Sequence, residues 1–145
     1  MRQEWKRHAL GEEENNMRKI IEVPYIDQSV SYPTGCESVS ATMLLQYLGY
    51  EITVDEFIRN YVPCVPMQER DGQLYGPDPR KAFCGSPYDR DSFGCYAPVN
   101  CEALQKAVGD KYRVVDETGT SMQELIQRYI DREMPVVFWA CIDMK

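Results

Sequence analysis

One cysteine stands where a thiol could act as a nucleophile. Thr34, Gly35, Cys36 and Glu37 head a run of small and apolar residues that continues to Leu48 and closes at Gly49. Thr34 and Glu37 have the spacing of a capping box, with a hydroxyl at the N-cap and a carboxylate at N3 reaching back. That register places Cys36 in the first helical turn, where backbone N–H groups lack intrahelical partners and the helix dipole is positive. A thiolate is favoured there, so the spacing predicts a thiol pKa below the free value. Position alone is equally compatible with an inert cysteine, since this residue type is among the most buried. Gln28, one loop upstream, supplies a second group. Its side-chain amide could join the Cys36 N–H in donating to the oxyanion of an acyl transfer. By composition alone Gln28 is also an ordinary polar loop residue.

The elements that must position these two groups follow from periodicity and punctuation. Val39, Met43, Leu44, Leu45, Tyr47 and Leu48 cover most of a helix circumference, which predicts a buried helix over residues 36–48. Gly49 is its stop. Upstream, residues 20–23 read as a short strand ended by Pro24, and residues 25–34 as the loop carrying Gln28. Downstream, Thr53 and Glu56 form a second capping box for a short helix through Tyr61. Residues 63–98 hold six prolines and four glycines, which reads as one long loop. Its Tyr75, Phe83, Tyr88, Phe93 and Tyr96 would either line a cleft or pin the loop to the body. A helix over 99–108, a strand over 112–116, a third capping box at Ser121 and Glu124 with a helix through Ile130, and a buried apolar strand over 135–142 complete the reading.

Val23-Pro24-Tyr25-Ile26-Asp27-Gln28, then Gly35-Cys36, then the small-and-apolar helix to Tyr47-Leu48-Gly49, resembles the start of a C39-like cysteine peptidase domain. Such domains have a papain-like fold and are related to bacteriocin-leader-processing peptidases. The likeness continues through Gly85 to Tyr88 and Phe93 to Pro98, and resumes from Ser121 to Ile142. The resemblance implies an α+β papain-like fold: an N-terminal helical half with a buried nucleophile helix, plus part of an antiparallel sheet. It implies Cys36 as nucleophile, Gln28 as oxyanion-hole amide, a peptide or protein substrate, and no cofactor. Residues 1–19 would be a charged extension and residues 20–145 the domain, with its last strands missing. One departure bears on the chemistry. Many relatives read Cys-Gly-Pro at the nucleophile, whereas this chain reads Cys36-Glu37-Ser38. A carboxylate beside the thiol opposes its ionisation unless it turns back into the cap.

A cysteine peptidase also needs a base for the thiol proton and a group to orient that base. The single histidine, His8, lies in the charged extension. In the papain-like order the histidine follows the cysteine on a strand beyond the apolar run. Three readings stay open: a histidine beyond Lys145, His8 folded back to the site, or a non-catalytic relative that binds peptides in its cleft.

Composition bounds the partners. A chain of 145 residues fits one domain with a real core. A formal charge of −7 argues against nucleic acid and anionic membranes. No run reaches the length of a membrane span, and the first residues lack the apolar core of a signal peptide. The sequence as given reads as cytosolic or as lacking its true N-terminus, and the resemblance leaves a cell-surface or extracellular place open. The six cysteines include no Cys-x-x-Cys pair, so a zinc site is not expected. Cys64, Cys84, Cys95 and Cys101 could instead form disulfides in an exported interaction domain.

Overall fold

The computed structural model describes residues 19–140. The fold is α+β. Three helices make its centre: α1 (Cys36–Tyr47), α2 (Val54–Tyr61) and α3 (Ala97–Val108). All three pack on one another. Ala41 and Leu45 of α1, Phe57 of α2, and Ala103, Leu104 and Val108 of α3 form the main core cluster. A second cluster joins Val39 to Val54 and Ile58, with Ile26 and Tyr32 of the preceding loop against it. α1 is thus enclosed on several sides, though not by its largest side chains. Ser38, Ala41 and Thr42 are among its most buried residues, while Leu44, Tyr47 and Leu48 are half-buried. Small residues let the neighbouring backbone come close, and the Thr42 hydroxyl is satisfied by the Ser38 carbonyl at 2.8 Å.

The helix ends follow local chemistry in two of three cases. At α2 the Thr53 hydroxyl accepts from the Glu56 N–H at 3.2 Å, and the Glu56 carboxylate accepts from the Thr53 N–H at 2.8 Å. At α4 (Met122–Arg128) Ser121 and Glu124 form the same reciprocal pair. α3 starts two residues before the expected Val99, because Pro98 fits the first turn, where no intrahelical N–H is needed. α4 ends at Arg128 and passes into a 3-10 turn, Ile130–Arg132, instead of running through Ile130.

The long loop is more ordered than its prolines suggest. Within it lie β1 (Cys64–Val65), β2 (Gln68–Arg70), β3 (Gln73–Tyr75) and β4 (Phe83–Cys84). β2 and β3 pair antiparallel across Asp71 and Gly72, both at positive φ (52° and 74°). An Asp-Gly pair is a strong two-residue hairpin signal, and it was present in the sequence. β1 and β4 pair in parallel, and Cys84 bridges Gly94 on the other side. Phe83 is fully buried against Cys95 and Val99.

The three expected strands over 20–23, 112–116 and 135–142 do not form ladders among the described residues; positions 141–142 lie outside them. None pairs with a neighbouring strand within the described chain: Tyr112 lies in a bend, and the Val23 N–H turns back to the Ile21 carbonyl at 3.0 Å; a strand exists only through its pairing. Val136 and Val137 are half-buried, whereas Phe138 and Trp139 are exposed. The sheet present is therefore one antiparallel hairpin and one short parallel pair. No helix among the described residues is long and apolar enough to cross a membrane.

Candidate active site

Cys36 is the first residue of α1 and is exposed, while Glu37, Ser38 and Val39 beside it are buried. The helix presents the sulfur at its positive end, as the sequence suggested. The cap itself differs. Gly35 is the N-cap and no side chain caps the helix. Thr34 turns its hydroxyl outward to the Ser86 and Asp89 carbonyls, at 3.2 and 2.8 Å. Gly35 leaves no room for a side chain, since a Cβ there would lie 3.0 Å from the Tyr32 Cβ and 3.1 Å from the Pro87 Cβ. The 86–89 segment is thereby clamped onto the turn that precedes the cysteine.

Glu37, freed from the cap, points into the protein. Its Oε1 accepts the Cys95 backbone N–H at 3.0 Å, and its Oε2 accepts the Cys36 thiol at 3.2 Å. Gly94 makes this possible: its φ is +103°, and a Cβ there would meet Glu37 Oε1 at 2.5 Å. Asn100 of α3 donates to the Glu37 carbonyl at 3.3 Å. The carboxylate is thus a buried tie between α1 and the segment leading into α3. Its cost falls on the thiol. Partial withdrawal from water, together with the charge and hydrogen bond of Glu37, pushes the Cys36 thiol up to about 11. This reverses the expected fall in pKa. The helix end favours the thiolate, but a full charge in contact outweighs a partial charge spread over several N–H groups. Burial also pushes up the Cys95 thiol, with Glu37 as the next cause.

Gln28 is brought to the same turn, through Tyr32. The Tyr32 N–H donates to the Gln28 carbonyl at 2.9 Å. The Tyr32 carbonyl accepts the Gln28 Nε2 at 3.3 Å and the Gly35 N–H at 3.0 Å. One amide hydrogen of Gln28 is engaged on Tyr32 and the other remains to be offered elsewhere. Tyr32 in turn donates its hydroxyl to Asp55 Oδ1 at 3.1 Å, and Tyr88 donates to the same oxygen at 2.8 Å. Sequence reasoning missed Tyr32, Asp55, Gly94 and Asn100. All act through contacts distant in sequence, and only the spatial fold brings them together.

Of the aromatics of the 63–98 segment, Phe83 is buried and Tyr88, though exposed, is tied to Asp55, so these two pin it to the body. Tyr75, Phe93 and Tyr96 are exposed, and Tyr96 alone of the five lies on a cavity wall. That cavity, of about 920 Å³, lies between α3, α4 and the connecting segments 112–120 and 134–139. Its walls are mainly apolar, from Leu104 and Val114 to Val136 and Phe138, and include neither Cys36 nor Gln28. The five described cysteines are free thiols, and of the two alternatives open for Cys64, Cys84, Cys95 and Cys101, disulfides or free thiols, the second is the one present. Cys64 and Cys95 share a row with Phe83 between them. Two strand spacings of about 4.8 Å separate them, beyond the roughly 7 Å limit of a disulfide. Among the described residues no group of three or more His, Cys, Asp or Glu is placed to hold a metal ion.

Comparison with known proteins places the chain in a family. The chain is 33% identical over 102 residues to the uncharacterised protein YvpB of Bacillus subtilis (strain 168), covering 70% of this chain and 38% of YvpB. It resembles the crystal structure of a C39-like peptidase candidate from Bacillus anthracis, with a TM-score of 0.62 and 27% identity, over 75% of this chain and 52% of that one. The chain thus spans about half or less of the length of these relatives. A profile of the Peptidase_C39 like family matches residues 20–145, most of the sequence, and the chain therefore belongs to the C39-like peptidase family.

Proposed function

We propose that this chain is a cysteine peptidase or amide hydrolase domain in which Cys36 attacks a peptide carbonyl. One observation carries the reading: the only exposed residue in the first turn of an otherwise enclosed helix is a cysteine, in a chain of a peptidase family. The sulfur would bond to the carbonyl carbon, and the oxygen charge that develops would meet the Cys36 N–H and the free amide hydrogen of Gln28. Collapse of the intermediate would break the C–N bond as a base returns the thiol proton to the leaving amine, and water would then hydrolyse the thioester to the acid and the free thiol.

The thiol proton needs an acceptor. Within the described residues the acceptor on the Cys36 sulfur is Glu37, and His8 lies outside them. Papain-like chemistry assigns this role to a histidine, and a histidine beyond Lys145 would fill it. With the thiol pushed up to about 11, almost none of it is ionised at neutral pH, so attack depends on such a base.

The test is cleavage of a mixed peptide library by the full natural chain, read by mass spectrometry. Cys36→Ala should abolish every cleavage, and unchanged turnover would sink the assignment. A non-catalytic peptide-binding module predicts instead that the unaltered protein cleaves nothing and that Cys36→Ala binds peptide with equal affinity.

A further inference from the structure

Asp55 lies on α2, away from the reacting groups, yet it gathers the two segments that frame them. Its Oδ1 accepts the hydroxyls of Tyr32 and Tyr88 at 3.1 and 2.8 Å. The two rings lie against each other, with centroids 5.7 Å apart and planes inclined by 50°. Tyr88 belongs to the segment whose Ser86 and Asp89 carbonyls hold Thr34. Tyr32 belongs to the turn whose carbonyl takes both the Gln28 amide and the Gly35 N–H. Every described hydrogen bond of the Gln28 amide and carbonyl therefore runs to a residue that Asp55 holds. α2 itself is fixed by its capping box and by Val54, Phe57 and Ile58 in the core, so Asp55 is mounted on a rigid element.

We infer that Asp55 is a positioning residue for the oxyanion amide: it holds Gln28 in place through Tyr32, with Tyr88 as the second arm of the same clamp. The inference rests on the proposed role of Gln28. A donor that must meet a developing charge works only if its geometry is set beforehand, and a displacement of about 1 Å can cost on the order of 10²-fold in rate. Burial, then the hydrogen bond to Asp55, pushes both phenols up, so both hydroxyls remain protonated donors at neutral and mildly alkaline pH.

Two probes of Cys36 separate oxyanion stabilisation from thiol reactivity. In acetylation by p-nitrophenyl acetate, the sulfur attacks the carbonyl carbon, an S–C bond forms, p-nitrophenolate leaves and the thiol proton passes to solvent base. The carbonyl oxygen carries the developing charge. Alkylation by iodoacetamide displaces iodide at a saturated carbon and develops no oxyanion. Both rates are read at the Cys36 peptide by mass spectrometry, in mildly alkaline buffer, on the full chain.

Gln28→Ala should lower the acetylation-to-alkylation ratio by on the order of 10²-fold. Asp55→Ala should lower it by about tenfold, within the range expected of a displaced donor. Asp55→Asn keeps an accepting oxygen for both hydroxyls and should restore the ratio. Tyr32→Phe keeps the ring contact with Tyr88 but removes one arm, and it carries the test where Asp55→Ala folds poorly. If Gln28→Ala lowers the ratio while Asp55→Ala and Tyr32→Phe leave it unchanged, the positioning role is overturned and the Gln28 role stands. If Gln28→Ala leaves the ratio unchanged, the oxyanion role itself is wrong and the inference falls with it. An Asp55→Asn ratio as low as that of Asp55→Ala overturns the hydrogen-bonded clamp.

Discussion

Replacing Glu37 by glutamine should make Cys36 a stronger acid. The carboxylate oxygen lies 3.2 Å from the sulfur and is oriented by the Cys95 N–H on its other oxygen. Two unit negative charges at that separation repel by about 1.3 kcal/mol in water, close to the roughly 1.4 kcal/mol that corresponds to one pH unit. Water sets the lower bound of this repulsion, because the thiol is partly withdrawn from water and Glu37 is buried. The thiol, pushed up to about 11 in the unaltered protein, should therefore fall by at least about one pH unit in Glu37→Gln. The sign is fixed by charge: removing an anion favours the thiolate, and the glutamine N–H can donate to it. The assay is the pH dependence of iodoacetamide alkylation at Cys36, with the other cysteines as internal controls. Near pH 8 the thiolate fraction rises at least about tenfold. Its lower basicity takes back about a factor of three for each pH unit, so alkylation should quicken at least about threefold. An apparent pKa in Glu37→Gln equal to or above that of the parent would refute the claim that Glu37 governs this thiol.

Three further outcomes follow from the packing. Gly94→Ala should destabilise the protein by roughly 1–3 kcal/mol in urea titration, because alanine strains at φ +103° and its Cβ meets Glu37 Oε1; it should also disturb the Cys36 alkylation profile. Phe57→Ala empties a fully buried site in the helical core and should cost about 3–5 kcal/mol in the same titration, whereas Thr53→Ala removes only a cap and should cost about 1 kcal/mol. Stability should be flat through neutral pH and fall as the pH rises from the ordinary thiol value of 9.0 through about 11. The folded protein keeps the Cys36 and Cys95 protons that the unfolded chain gives up, so deprotonation favours unfolding. Urea midpoints at pH 8 and pH 10.5 compare the two regimes.

The sequence made some parts of this molecule legible and hid others, for identifiable reasons. Helices α2 and α4 announced themselves because their start signals are local: Thr53 with Glu56 and Ser121 with Glu124 satisfy their own backbone within four residues. Thr34 and Glu37 carry the same spacing and yet cap nothing, because each has a better partner brought from about 55 residues away. The place of Cys36 in the first turn was therefore as expected, while its electrostatic surroundings were not. Residues 112–116 and 135–140 have the composition of strands, but pairing depends on a neighbour, and alternation cannot say whether one is present. The β2–β3 hairpin was signalled by Asp71-Gly72 and was hidden only by the prolines around it. Asp55 read as a first-turn acidic residue of α2, and nothing in its neighbourhood pointed to two tyrosines.

The tie between Glu37 and Cys95 spans 58 residues, that between Thr34 and Asp89 spans 55, and that between Asp55 and Tyr88 spans 33. None can form until the later partner has been synthesised and its intervening loop closed, and such long-range closures come late in folding. α1 itself is only twelve residues long and takes part of its core from Ala103, Leu104 and Val108. The surroundings of Cys36 are therefore completed only once the chain through α3 has been made, and a chain cut short before Cys95 would carry the cysteine without the tie to that residue or the helix that follows it.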